Sequence, residues 1–153
     1  MKYLLLILTI LLISITAHAQ TKIYAPNGNY KGKLQYVIEG DKIYYANGNY
    51  KGKLAFISDG NQLFYAQGNY KGKLSNIFEG DKIFGSNGNY KGKLYMIIDG
   101  EKAYFSNGNY KGKLAFVKEG DKVYYANVNY KGKLAAVIAG GIPRLLLFVL
   151  LNN

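Results

Sequence analysis

The chain has 153 residues, with 20 Lys and Arg against 9 Asp and Glu, a formal net charge of +11, and neither Cys nor Trp. The lack of Cys excludes disulfides, thiol catalysis and thiolate metal sites. Its 19 Gly and 16 Tyr against only 2 Pro suit short strands joined by tight turns, in a length sufficient for one domain with a real core.

The first nineteen residues read as a cleaved signal peptide. Lys2 supplies a small basic start, Leu4 to Ile15 form an apolar run broken only by Thr9 and Ser14, and Ala17-His18-Ala19 gives an A-x-A cleavage pattern with Gln20 as the new N-terminus. No Cys follows that run, so lipid attachment there is excluded. Export to the periplasm, the outer envelope or the extracellular space is therefore expected, with no transmembrane span in the mature chain. The sole His, His18, falls in the segment removed, which leaves no side chain whose unperturbed pKa lies near neutrality.

From there one theme repeats. Asn-Tyr-Lys-Gly-Lys-Leu begins at positions 29, 49, 69, 89, 109 and 129, and Gly recurs at 40, 60, 80, 100, 120 and 140. A fixed period of this kind is the signature of a repeat architecture. Each unit holds a long strand, about Tyr30 to Ile38 in the first copy, and a short one, about Lys42 to Ala46. Glu39-Gly40-Asp41 turns between them, and Asn47-Gly48 leads into the next copy as a type I′ turn, whose two central residues need positive φ. Val128 stands where the other copies have that Gly, so the last hairpin is expected to be irregular.

Alternation assigns the faces. Leu34, Leu54, Leu74, Leu94, Leu114 and Leu134 fill an invariant slot that is expected to face inward together with Tyr30 and Gly32, while Lys31 and Lys33 face water. Val37, Ile57, Ile77, Ile97, Val117 and Val137 follow three residues later. A β-bulge between the two slots would turn both inward.

A short strand from Lys22 to Ala25 precedes the first long one, which gives twelve strands in six hairpins. An open array would leave two unpaired edges, and closure removes them. Eight strands already give a barrel just wide enough for side chains to fill, so twelve need a plug. Residues 141–153 supply one. After Gly140-Gly141, the run Ile142 to Leu151 is almost wholly apolar and opens on Pro143, suited to the first turn of a helix. Ten residues make a rod of about 15 Å, too short for a bilayer. Gly32 and its equivalents would leave room for it on the inner wall. The expected fold is all-β: residues 20–140 form a closed twelve-stranded barrel of six hairpins, and residues 141–153 add a central apolar C-terminal helix to the same domain.

Hairpins reading Gly-Asp-Lys-Ile-Tyr-Tyr-Ala-Asn-Gly-Asn-Tyr-Lys-Gly-Lys-Leu are similar to those of the bacterial beta-flower proteins, whose short repeats carry I-Y, N-G and G-x-[IL] at the same spacing. That resemblance implies a shallow symmetric barrel with hairpins as petals. Twelve strands around an apolar C-terminal helix also look like the Tubby C-terminal domain, a family that implies phosphoinositide binding by basic residues, although no such basic site aligns here. MORN repeats share the Y-x-G core, but the 20-residue spacing and the terminal plug argue against their open arrays.

Twelve lysines are the most conspicuous candidate site: Lys31, Lys33, Lys51, Lys53, Lys71, Lys73, Lys91, Lys93, Lys111, Lys113, Lys131 and Lys133. In a closed ring they would form a basic belt, with all nine acids at the opposite turns. Such a belt suits anionic lipid headgroups, acidic glycans or another anionic surface; nucleic acid is not the expected partner. The bland reading is a solvated exterior that discourages strand pairing. Tyr30 and its five equivalents could stack on sugars, but packing across strands is the expectation. Each Glu-Gly-Asp turn offers two carboxylates, short of the six to eight oxygens that calcium takes, and no nucleophile–base pair is indicated. The expectation is a non-enzymatic binding or scaffold module without cofactor or metal. The alternative is a purely structural or protein-interaction repeat domain.

Overall fold

The computed structural model describes residues 20–153; the expected signal peptide lies outside the described residues. Six long strands, β2 (Tyr30–Glu39), β4 (Tyr50–Asp59), β6 (Tyr70–Glu79), β8 (Tyr90–Asp99), β10 (Tyr110–Glu119) and β12 (Tyr130–Ala139), alternate with six short ones. The short strands are β1 (Thr21–Asn27), β3 (Lys42–Asn47), β5 (Gln62–Gln67), β7 (Lys82–Asn87), β9 (Lys102–Asn107) and β11 (Lys122–Asn127). Each pairs antiparallel with its sequence neighbours, and β1 also pairs with β12, Ile23 opposite Ile138, which closes the barrel. The chain then enters α1 (Arg144–Leu150). No helix among the described residues is long and apolar enough to cross a membrane.

Both kinds of turn are two-residue loops that begin on Gly, such as Gly28-Asn29 and Gly40-Asp41. Wherever Gly opens the loop it has φ near +60°, and among the described non-Gly residues only Val128, which opens the last loop, has positive φ. Positive φ at the first loop residue alone is the pattern of a type II′ turn, so the expected type I′ assignment is corrected. The last hairpin is also more regular than expected. Asn127 still faces Tyr130, and the misfit is confined to Val128, held at φ 56°. A β-branched residue in that region is strained by about 1–3 kcal/mol. Val128 is exposed, so its side chain gives little packing in return. Val128→Gly is expected to stabilise the protein by about 1 kcal/mol, read as a higher urea midpoint.

Two irregularities in each long strand decide which side chains face in. Between β1 and β2, Ile23 faces Tyr36, Tyr24 faces Leu34, and Pro26 faces Lys31. Gln35 is thus an extra residue, and Gly32 and Lys33 together oppose Ala25, a pair of bulges that bends the strand. The first bulge does bring the Leu34 and Val37 slots onto one face, but it is the outer face. Val37, Tyr44 and Leu54 lie side by side across β2, β3 and β4, Val37 and Leu54 buried and Tyr44 half-buried, separate from the cluster around the helix.

The inner cluster comes from other slots. Ile23, Ile43, Leu63, Ile83, Ala103 and Val123 on the short strands, with Tyr36, Ile38, Phe56, Met96, Ile98 and Phe116 on the long ones, surround Leu146, Leu147, Phe148, Val149 and Leu150. The plug is therefore present and central. It is shorter than expected, seven residues or about 10 Å, because Pro143 stays extended at ψ 133° as the N-cap instead of joining the first turn. Arg144 Nη1 donates to the Gly100 carbonyl at 2.6 Å, and Asn152 Nδ2 donates to the Tyr95 hydroxyl, so the helix runs from the acidic-turn end to the Gly-Asn-loop end of the barrel.

Gly32 and its equivalents serve a different purpose from the one expected. A Cβ on Gly52 would lie 2.9 Å from the Tyr45 carbonyl oxygen and 3.1 Å from Asn47 Cβ; the glycine admits the neighbouring strand, not the helix. Gly52→Ala should cost about 1–3 kcal/mol through this overpacking. By contrast, Gly85→Ala, whose Cβ would come no nearer than 3.9 Å to its closest neighbour, should stay within about 0.5 kcal/mol of the parent. Parallel urea titrations of the two variants check the contrast.

Candidate functional site

The twelve candidate lysines separate into two sets with different surroundings. Lys31, Lys51, Lys71, Lys91, Lys111 and Lys131 follow the second bulge onto the outer face, where each Nζ sits over an aromatic ring. Lys31 lies 4.3 Å from the centroid of Tyr24, Lys51 4.6 Å from Tyr44 and Lys131 4.7 Å from Tyr124, with Phe64, Phe84 and Tyr104 serving Lys71, Lys91 and Lys111. Cation–π contacts of this kind are worth about 0.5–1 kcal/mol at exposed sites.

Five of these lysines also reach an acid twelve residues earlier. Lys51 pairs with Glu39, Lys71 with Asp59 at 2.6 Å, Lys91 with Glu79 at 2.9 Å, Lys111 with Asp99 at 2.7 Å and Lys131 with Glu119 at 2.6 Å. The hydrogen bonds from Lys51 and Gln20 hold the Glu39 carboxyl below the usual range, and the bond from Lys111 does the same for Asp99. The ammonium groups of Lys51, Lys111 and Lys131 are raised in turn by bonding to their acids. Charge is thus not segregated along the barrel axis as the sequence reading expected. The bulges foreshorten each long strand and lay its first lysine against the acid at the end of the preceding one.

Lys33, Lys53, Lys73, Lys93, Lys113 and Lys133 are different. All six are exposed, and among the described residues none makes an ion pair. Three residues before each stand Tyr30, Tyr50, Tyr70, Tyr90, Tyr110 and Tyr130, each 78–80% exposed. These tyrosines do not pack across strands as expected. Each follows its Gly-Asn loop directly, so the six rings stand at the petal tips around one end of the barrel. Repetition fixed their positions in the sequence; what hid their exposure was the pair of bulges that moves the lysine, and not the tyrosine, onto the leucine face.

The sequence reading also missed the mouth of the barrel. At the same end, the inner surface carries an aromatic series. Tyr36 and Tyr45 have centroids 5.6 Å apart, Phe56 and Tyr65 5.3 Å, and Phe116 and Tyr125 5.5 Å. Burial raises the Tyr36 hydroxyl above its ordinary pKa, with a smaller contribution from Tyr45, and burial raises that of Tyr95. The series breaks between β6 and β7, where Asn76 faces Gly85. Departure from the repeat at these positions is the signal by which the sequence could have revealed the break.

Comparison with known proteins bears on this architecture. No curated protein and no solved structure matches the chain. The family model for the 6-fold beta flower protein matches residues 13–121; with more than half of its length covered, the chain belongs to the beta-flower family.

Proposed function

We propose that this protein is an exported, non-enzymatic binding module that sets its petal tips on an anionic surface. The observation that carries the reading is the ring of six exposed tyrosines accompanied by six exposed lysines that lack ion-pair partners among the described residues. Tyrosine suits a boundary where one end of the side chain is apolar and the other wet, and lysine extends its charge beyond an apolar stem. Near an anionic leaflet each lysine contributes about 1 kcal/mol, so six give about 6 kcal/mol before the tyrosines add theirs. The sixfold arrangement supports contact with a flat target, because equivalent tips on a closed ring can touch one plane together. The lysines offered to that surface in this reading are Lys33, Lys53, Lys73, Lys93, Lys113 and Lys133, since the other six lie over rings and five of those also pair with acids. The likeness to the Tubby C-terminal domain rests on strand count and central helix and brings no headgroup site with it.

Export is part of the proposal and rests on residues 1–19. The surface itself is tested by co-sedimentation with phosphatidylglycerol and phosphatidylcholine vesicles at rising salt. Binding should be confined to the anionic vesicles and weaken with salt. Replacing the six Lys33-type residues by Gln should abolish it, while replacing Lys51, Lys71, Lys91, Lys111 and Lys131 by Gln should leave most of it. Equal binding to both vesicles, or an unchanged sextuple variant, would favour a structural or protein-interaction module instead.

A further inference from the structure

The break in the aromatic series is a built cleft, and from it we infer a second binding site, for an uncharged saccharide. It lies on the inner surface of the barrel mouth and does not depend on the anionic-surface reading. Each of the five hairpins closed by an acidic turn places one equivalent cross-strand pair at this level. Four of these pairs are Tyr36 with Tyr45, Phe56 with Tyr65, Met96 with Phe105 and Phe116 with Tyr125. The fifth is Asn76 with Gly85, which exchanges two large apolar side chains for an amide and a hydrogen.

At this position lies a cleft of about 220 Å³ bordered by Tyr65, Ser75, Asn76, Gly85, Tyr95, Asn152 and Asn153. Gly85 and Tyr95 also border a shallower trough of about 800 Å³ along the fourth petal, lined by Ser86, Asn87, Lys91 and Lys93. Pockets for drug-sized ligands start at about 300 Å³, so the inner cleft suits one small ring and the trough the continuation of a short chain.

The lining chemistry selects the ligand class. Asn76 is only 9% exposed and Ser75 7%. Ser75 Oγ donates to Asn76 Oδ1 at 2.7 Å, and Asn76 Nδ2 donates to the Phe84 carbonyl at 3.4 Å. Each keeps capacity to spare, since an amide nitrogen has two protons and a hydroxyl or amide oxygen accepts two bonds. Asn152 adds an amide, already donating to the Tyr95 hydroxyl. Tyr65 and Tyr95 flank the opening with aromatic surface, and no Asp, Glu, Lys or Arg side chain lines the inner cleft. Neutral amides and hydroxyls that give and accept hydrogen bonds, set between aromatic rings, match the alternating C–H faces and hydroxyl edges of a sugar. An anion would find no cation there, and an apolar ligand would leave the spare hydrogen-bonding capacity of Asn76 and Ser75 unmet.

The test is titration of the ¹⁵N-labelled full chain with glucose, galactose, N-acetylglucosamine, cellobiose and lactose, followed by amide shifts. At least one sugar should move the Asn76 and Gly85 signals saturably in the millimolar range, unchanged by salt, while the equivalent Phe116 and Tyr125 signals stay in place. Gly85→Tyr restores the residue used at Tyr45, Tyr65 and Tyr125 and is expected to keep the rest of the spectrum while weakening binding at least tenfold. Asn76→Phe, which copies Phe56 and Phe116, should do the same. The site is refuted if no sugar in the panel moves the Gly85 signal, if Gly85→Tyr binds as well as the parent, or if salt abolishes the shifts, which would assign them to the petal lysines.

Discussion

Phe148→Ala is expected to lower stability by about 3–5 kcal/mol. Phe148 is fully buried at the centre of the barrel, and its ring stacks on Phe116 with centroids 5.8 Å apart and planes at 25°. The size of the effect follows from the wall around it. Twelve strands joined edge to edge cannot move inward without breaking ladder hydrogen bonds, so the space vacated by the ring stays open, and a cavity that cannot collapse is at the costly end of such substitutions. Phe148→Leu keeps most of the volume and should cost less than about 1.5 kcal/mol. Urea midpoints of the two variants give the comparison, and a Phe148→Ala protein as stable as the parent would mean that the ring is not the keystone of the core.

Much of the architecture was legible in the chain. The 20-residue period gave the number of hairpins, the number of hairpins gave closure, and the width of a twelve-stranded barrel gave a use for the apolar segment after Gly141. Face assignment was harder. The invariant slot, Leu34 and its copies, looks like the core but forms the outer layer, whereas the slot that meets the helix reads Tyr36, Phe56, Asn76, Met96, Phe116 and Ala136. The physical reason is a mismatch of symmetry. Each outer cluster repeats between neighbouring petals, so its residues can repeat unchanged. A single helix inside a sixfold wall meets every petal differently, so the inner residues must vary.

The charge pattern was hidden by the same geometry. Glu39 and Lys51 stand twelve residues apart, and nothing in strict strand alternation brings them together; two bulges per strand do. Those bulges also divide the lysines, one of each pair lying over an aromatic ring and the other standing in water. The uniform belt expected from the sequence is in the structure two sets, one over aromatic rings and, for five of its six members, in ion pairs, the other exposed without ion pairs among the described residues. The polar break at Asn76 and Gly85 lay in the sequence too, visible only once the varied slot is known to line the mouth.

The helix tests the whole scheme most directly. Residues Leu146 to Leu150 are all buried, and five large apolar side chains at about 2 kcal/mol each amount to about 10 kcal/mol of burial. That equals a typical domain's entire margin of about 5–15 kcal/mol. A chain ending at Gly141 is therefore expected to lose its cooperative thermal transition, expose the inner faces of Ile43, Phe56 and Leu63, and bind a hydrophobic dye or aggregate. The decisive measurement is the melting curve of that truncated chain beside the full one, with solubility measured in parallel. Loss of the transition is the predicted result. A truncated barrel that stays soluble and melts at the parent temperature would show that the helix does not hold the wall in place.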